Sequence, residues 1–222
     1  MPDPVDRISF LQVLQLADSA LPIGGAAHSF GIESLVDVGL VNVANLESFL
    51  SGYLEEAGAL EAFYCAQSCH LARTEPSLEQ WLSSNRELGA RKLARESRDA
   101  SAAMGRRFLQ LAANLIDNDL LSRAAVQAEP LHLAPCFGLV AGILEMDPAI
   151  ASAAYLQQSI TSLIGCCQRL LPLGQTRAHQ ILWNLKPAIQ RRAESTLDSF
   201  FTPLVDVASA RHASLRTRLF IS

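Results

Sequence analysis

Throughout this 222-residue chain, apolar residues recur at helical spacing between Pro and Gly breaks, and no run of short, alternating β-branched segments is present. That periodicity confines the chain to helices packed on helices. Ile8, Leu11 and Leu14 with Val13 and Leu16 predict a short helix ending before Asp18-Ser19-Ala20-Leu21-Pro22-Ile23-Gly24-Gly25, where the Pro and the Gly pair demand a loop. Asn45 offers an N-cap, and Leu46, Phe49, Leu50, Tyr53, Leu54 and Ala57 mark one face of a long helix running toward Arg73. Thr74-Glu75-Pro76 stops it.

Ser77 and Gln80 have the spacing of a capping box, so a new helix starts there. Helical character continues to about Ile116, with a break expected near Gly89, before the polar turn Asp117-Asn118-Asp119. A further break falls at Glu129-Pro130, and residues 135–144 read as a buried helix. Asp147-Pro148 is an N-cap followed by Pro at the first helical position, launching a helix to Leu170 that Pro172 and Gly174 end. Residues 175–185 and 189 to about 210 are helical, interrupted by Pro187 and Pro203. The expected fold class is all-α: residues 1–222 as one bundle-like domain of about eight to ten helices, with no internal repeat.

Half of the residues are hydrophobic but only 6% are aromatic and 18% charged, a balance that favours helix packing and leaves apolar surface for other chains. At this length the core needs no metal or disulfide to fold. The odd number of cysteines and an acidic start without a basic-then-apolar leader suggest a reduced cytoplasmic protein, and no apolar stretch is long enough to span a bilayer. The net charge is −4, and the local cluster of Arg86, Arg91, Lys92, Arg95, Arg98, Arg106 and Arg107 alternates with Glu87, Glu96 and Asp99. Such a cluster reads as a solvated helix face rather than a nucleic-acid site.

Cys65, Cys69 and His70 lie close in sequence, but His70 points about 100° from Cys69 on a helix and no second ligand pair accompanies them. Cys166-Cys167 is weaker still, since adjacent helical positions do not face each other. His28-Ser29 lacks the elbow of a hydrolase, and Pro22-Ile23-Gly24-Gly25 lacks the Gly-Lys-Ser/Thr ending and preceding strand of a phosphate loop. An all-helical enzyme using Asp117, Asp119 or the histidines with a divalent ion stays open as an alternative. So does a helical adaptor.

The segment Leu14-Gln15-Leu16-Ala17-Asp18-Ser19-Ala20-Leu21-Pro22-Ile23-Gly24-Gly25, followed by His28-Ser29-Phe30-Gly31-Ile32-Glu33, resembles the N-terminal signature of the UreF family of urease accessory proteins. Arg169-Leu170-Leu171-Pro172-Leu173-Gly174-Gln175 is similar to that family's late Pro-x-Gly-Gln segment, although Lys is often found where Arg169 stands. The final residues, Ala208-Ser209-Ala210-Arg211-His212 and Arg218-Leu219-Phe220-Ile221-Ser222, look like its tail, and Arg95-Glu96-Ser97-Arg98 and Met104-Gly105-Arg106 fit more loosely.

The resemblance implies an all-α homodimer without catalysis of its own. It implies binding to UreD, also called UreH, then to the GTPase UreG, in a complex that delivers nickel to apo-urease; nickel and GTP would be handled through the partners, with no cofactor bound directly. The matched positions make Arg169, Gln175, Arg211, His212, Arg216, Arg218, Leu219, Phe220 and Ser222 candidates for partner binding, within a tail of about residues 208–222. Within it, Arg216 and Arg218 rim Leu219 and Phe220, the latter the best anchor for a partner, while a tail folded on its own core is the plainer reading. His28, Ser29 and Glu33 are candidates for shaping a loop at an interface.

Overall fold

A computed structural model describes residues 7–195, 202–215 and 217–221, and these are helical with no strand among them. In order, the helices are α1 (Arg7–Leu16), α2 (Ile32–Asp37), α3 (Leu46–Tyr53), α4 (Ala59–Thr74), α5 (Leu78–Arg91), α6 (Arg95–Leu115), α7 (Asp119–Ala125), α8 (Leu133–Ile143), α9 (Pro148–Leu170), α10 (Gln175–Asn184), α11 (Lys186–Ala193) and α12 (Pro203–Arg211). A π-helical turn, Leu54–Gly58, joins α3 to α4 without a break, giving the long rod that the apolar spacing predicts. No described helix is long and apolar enough to cross a membrane.

Of the expected N-caps, Ser77 and Asp147 act as their chemistry requires, whereas Asn45, at the start of α3, makes no side-chain bond into the helix because its Oδ1 accepts the Asn42 N–H at 2.8 Å. Ser77 Oγ accepts the Gln80 N–H at 3.3 Å, and Asn118 Oδ1 accepts the Leu121 N–H at 3.0 Å to open α7. Asp147 takes the N–H groups of Ala149 and Ile150 at the start of α9, with Pro148 filling the first helical position.

α8 is the centre of the fold. Residues 133–142 are buried on every side, and the helix packs on α4, α6 and α9. Phe137 stacks on Phe108 of α6 with centroids 5.6 Å apart and meets the Tyr155 ring of α9 at 5.8 Å. Against α4 the approach is closer: a Cβ on Gly138 would lie 2.1 Å from the Cys65 carbonyl oxygen, and one on Gly142 would lie 2.4 Å from that of Cys69. Cys65 and Cys69 are therefore packing residues at a backbone crossing, and burial pushes the Cys69 thiol up to about 12.

The break expected near Gly89 falls slightly later: α5 runs through Gly89 to Arg91, with Lys92 as its C-cap, and α6 begins at Arg95. Gly89 is there because His132 occupies the space its side chain would need, with Nε2 2.6 Å from an ideal Cβ. Lys92 leaves the helix so that its ammonium reaches Glu61 in the interior, Tyr155 donates to the same carboxylate at 2.8 Å, and Arg98 donates to the Lys92 carbonyl at 3.0 Å. Pro187 also differs from expectation, standing in the first turn of α11 rather than interrupting a helix. The basic cluster divides between surface pairs and loop ties. Arg91–Glu87 and Arg95–Asp99 are i,i+4 pairs, whereas Arg106 donates to the carbonyls of Gln127 and Glu129, and Arg107 to that of Ile23.

His132 gives the fold a pH dependence. It is 2% exposed at the start of α8, and burial, then the nearby Lys92 charge, push its pKa from 6.5 down to about 4. The folded protein thus keeps this imidazole neutral while the unfolded chain takes up a proton. Its contribution is fully present above pH 6.5 and is lost as pH falls through that window, for a total on the order of 3 kcal/mol. Melting temperatures of wild type and His132→Gln between pH 7 and pH 4 check this: the wild-type fall with acid is expected to be steeper.

Candidate functional site

Glu33, in the first turn of α2, lies 5% exposed at a junction of the beginning and end of the chain. Gly31 before it has φ +87°, and a Cβ there would come within 2.9 Å of the Ser209 N, so only glycine lets α12 settle against the start of α2. Ser97 of α6 holds the same helix through a 2.7 Å bond to Ser209. Glu33 Oε1 accepts the Leu219 N–H at 2.7 Å, and Oε2 accepts the Phe220 N–H at 3.3 Å and is bonded to His212 Nε2 at 2.7 Å. Three partners compensate the burial of the carboxylate. The His212 ring, 1% exposed, must direct a protonated Nε2 at Glu33 for this bond to form.

Arg169, in the last turn of α9, closes the other side. Its guanidinium carbon stands 4.1 Å from the centroid of the Phe220 ring, and its Nη2 donates to the Ala26 carbonyl at 2.5 Å. The next two carbonyls of the loop are also taken: that of Ala27 accepts the Ile221 N–H at 2.8 Å, and that of His28 accepts from Cys166 Sγ at 3.2 Å. Signature loop, α9 end and tail thus share one hydrogen-bond set. His28 and Ser29 are buried behind it, and burial followed by the charge of Arg107 holds His28 below the usual imidazole range.

The structure therefore brings together His28, Glu33, Arg169, His212 and Phe220, with Ser29 buried next to His28 in the chain. Phe220, the anchor for a partner in the sequence reading, is 5% exposed and seated against its own chain, whereas Leu219 and Ile221 on either side are 69% and 72% exposed. Arg211, Arg218 and Gln175 are exposed, the last at the start of α10. Arg216 and Ser222 lie outside the described residues. Cys166, read only as a weak metal candidate, joins the loop to α9 instead. Its one sequence signal is a place one helical turn before Arg169.

Of the acids of the enzyme alternative, Asp119 pairs with Arg123 at the start of α7, and Asp117 is exposed beside Asn118, whose side chain caps that helix. Among the described residues no group of three or more His, Cys, Asp or Glu side chains is placed to hold a metal ion. With its carboxylate already surrounded by donors, the Glu33 junction is suited to holding a peptide strap.

A family model described as UreF matches residues 40–186. A protein of Nostoc sp. named urease accessory protein UreF is 31% identical over 226 residues, covering 96% of either chain. One of the same name from Actinobacillus pleuropneumoniae is 29% identical over 221 residues, covering 95% of this chain and 97% of its own. From rice, Oryza sativa subsp. japonica, a urease accessory protein F is 30% identical over 220 residues, covering 93% and 82%.

Proposed function

The chain belongs to the UreF family and serves urease maturation, and from that premise we propose that it works as a non-catalytic scaffold that docks partner proteins through its tail and signature loop. It pairs with a second copy, binds UreD (UreH), and recruits or regulates the GTPase UreG so that nickel enters apo-urease. Nickel and GTP are handled by those partners. The assembly works in the cytoplasm, a setting compatible with five unpaired, buried cysteines.

The observation that carries this reading is the outward presentation of Leu219 and Ile221, with Arg218 beside them, on a strap tied to Glu33 and the signature loop. An apolar pair with a cationic rim has the composition of an interface. Its test is size-exclusion chromatography with light scattering on this chain, alone and mixed with UreD and UreG of the same organism. A dimer alone, co-eluting in a larger complex when mixed, is the expected result; folded components that stay apart would break the proposal.

A further inference from the structure

We propose that the helical body holds a second site, outside the Glu33 junction: a cavity that binds a small uncharged molecule by its carbonyl oxygen. The cavity has a volume of about 90 Å³ and lies between the π-helical turn after α3, the first half of α6 and the middle of α9, bordered by the signature loop and the start of α12. Its walls are mostly apolar, with Leu54, Met104, Leu133, Leu156, Leu163 and Val205 among them. A larger cavity of about 150 Å³ takes benzene, so this one suits a molecule of roughly six non-hydrogen atoms or fewer.

The polar group that selects the ligand is the Lys92 ammonium, which lines the cavity with Glu61 and Tyr155. Both Glu61 oxygens are already taken, one by Lys92 and the other by the Tyr155 hydroxyl at 2.8 Å. The ammonium has three N–H groups to give, yet among the described residues Glu61 is its one acceptor, and the Lys92 side chain is only 11% exposed. Donors left over in so enclosed a place are costly, and a carbonyl oxygen in the cavity would satisfy them. Charge fixes the rest of the ligand. Among the described residues the charged side chains of the walls are Glu61 and Asp206 against Arg91 and Lys92, so the cavity favours neither sign. A cation would meet Lys92 seated on the carboxylate, and an anion would meet Glu61 itself. An uncharged molecule with a short apolar body, a ketone or a primary amide, fits both the walls and the donors.

The probes that test this share a propyl chain: methyl propyl ketone and butyramide carry the carbonyl, butyrate an anionic head and butylamine a cationic one. Methyl-labelled methionine supplies the magnetic-resonance readout on the full-length chain, because Met104 lines the cavity whereas Met146, 1% exposed just after α8, does not. Both carbonyl compounds are expected to shift the Met104 methyl resonance saturably at millimolar concentration and to leave that of Met146 in place, with butyrate and butylamine at least about tenfold weaker. A Met104 resonance that neither carbonyl compound moves would overturn the site. Butyrate or butylamine binding as tightly as the ketone would overturn the assignment of an uncharged ligand. Lys92→Met is expected to weaken both carbonyl compounds about tenfold, and undiminished binding would overturn the part given to the ammonium. Should that variant lose helical circular dichroism, Ser159→Phe, which places a ring at a half-buried wall position of α9, is expected to abolish the Met104 shift; a shift as in wild type would overturn the cavity as the place of binding.

Discussion

Gly138→Ala is expected to destabilise the protein by about 3 kcal/mol or more, and Gly138→Leu to leave no folded protein. The added Cβ would lie 2.1 Å from the Cys65 carbonyl oxygen and 2.9 Å from the carbonyl carbon, and backbone cannot rotate aside as a side chain can. α4 and α8 would have to separate along the crossing that also includes Gly142 and Cys69. Because α8 is buried on every side, that separation would disturb its packing on α6 and α9 as well. In a chain of this size the alanine variant corresponds to a fall in Tm of roughly 6 to 12 °C, measurable by thermal circular dichroism. Gly165→Ala in α9, with nothing within 4 Å of its Cβ position, is the matched control and is expected to be neutral or slightly stabilising.

Deleting residues 218–222 is expected to weaken UreD binding at least about thirtyfold, the ~2 kcal/mol that marks loss of an interface hot spot, while helical circular dichroism stays intact. The deletion removes exposed Leu219 and Ile221 together with the Phe220 ring under Arg169, yet takes nothing from the helices. Arg169→Ala is the milder form. It removes the cation from the ring and the bond to Ala26 but leaves the Glu33 bonds to the tail, so binding and urease activation are expected to fall less. Titration calorimetry and a urease activation assay check both; wild-type behaviour of the deletion variant would take the tail out of the mechanism.

Much of the helical layout was legible because its signals act over a few residues. Asp147-Pro148, Ser77 with Gln80, and Asn118 each satisfy N–H groups two or three positions ahead, so their effects can be read locally. Gly89 misled for the converse reason: glycine reads as a breaker, whereas here it makes room for an imidazole from a distant segment. The site residues came into view through resemblance, since nothing local in His28-Ser29 or in Phe220 indicates that they share a neighbourhood. Cys166 escaped notice because its thiol works on a carbonyl 138 residues away.

The sequence by itself determined an all-helical chain, most of its helix limits, and membership of a family concerned with urease maturation, because periodicity, caps, prolines and ordered motifs are all written along the chain. Only the tertiary structure decided that Glu33 meets Phe220 across 187 residues, that Phe220 turns inward while Leu219 faces out, and that α5 runs past Gly89 to Arg91. The reason is physical: burial of a carboxylate or a ring depends on which donors and surfaces converge on it, and that convergence exists only once the helices have packed.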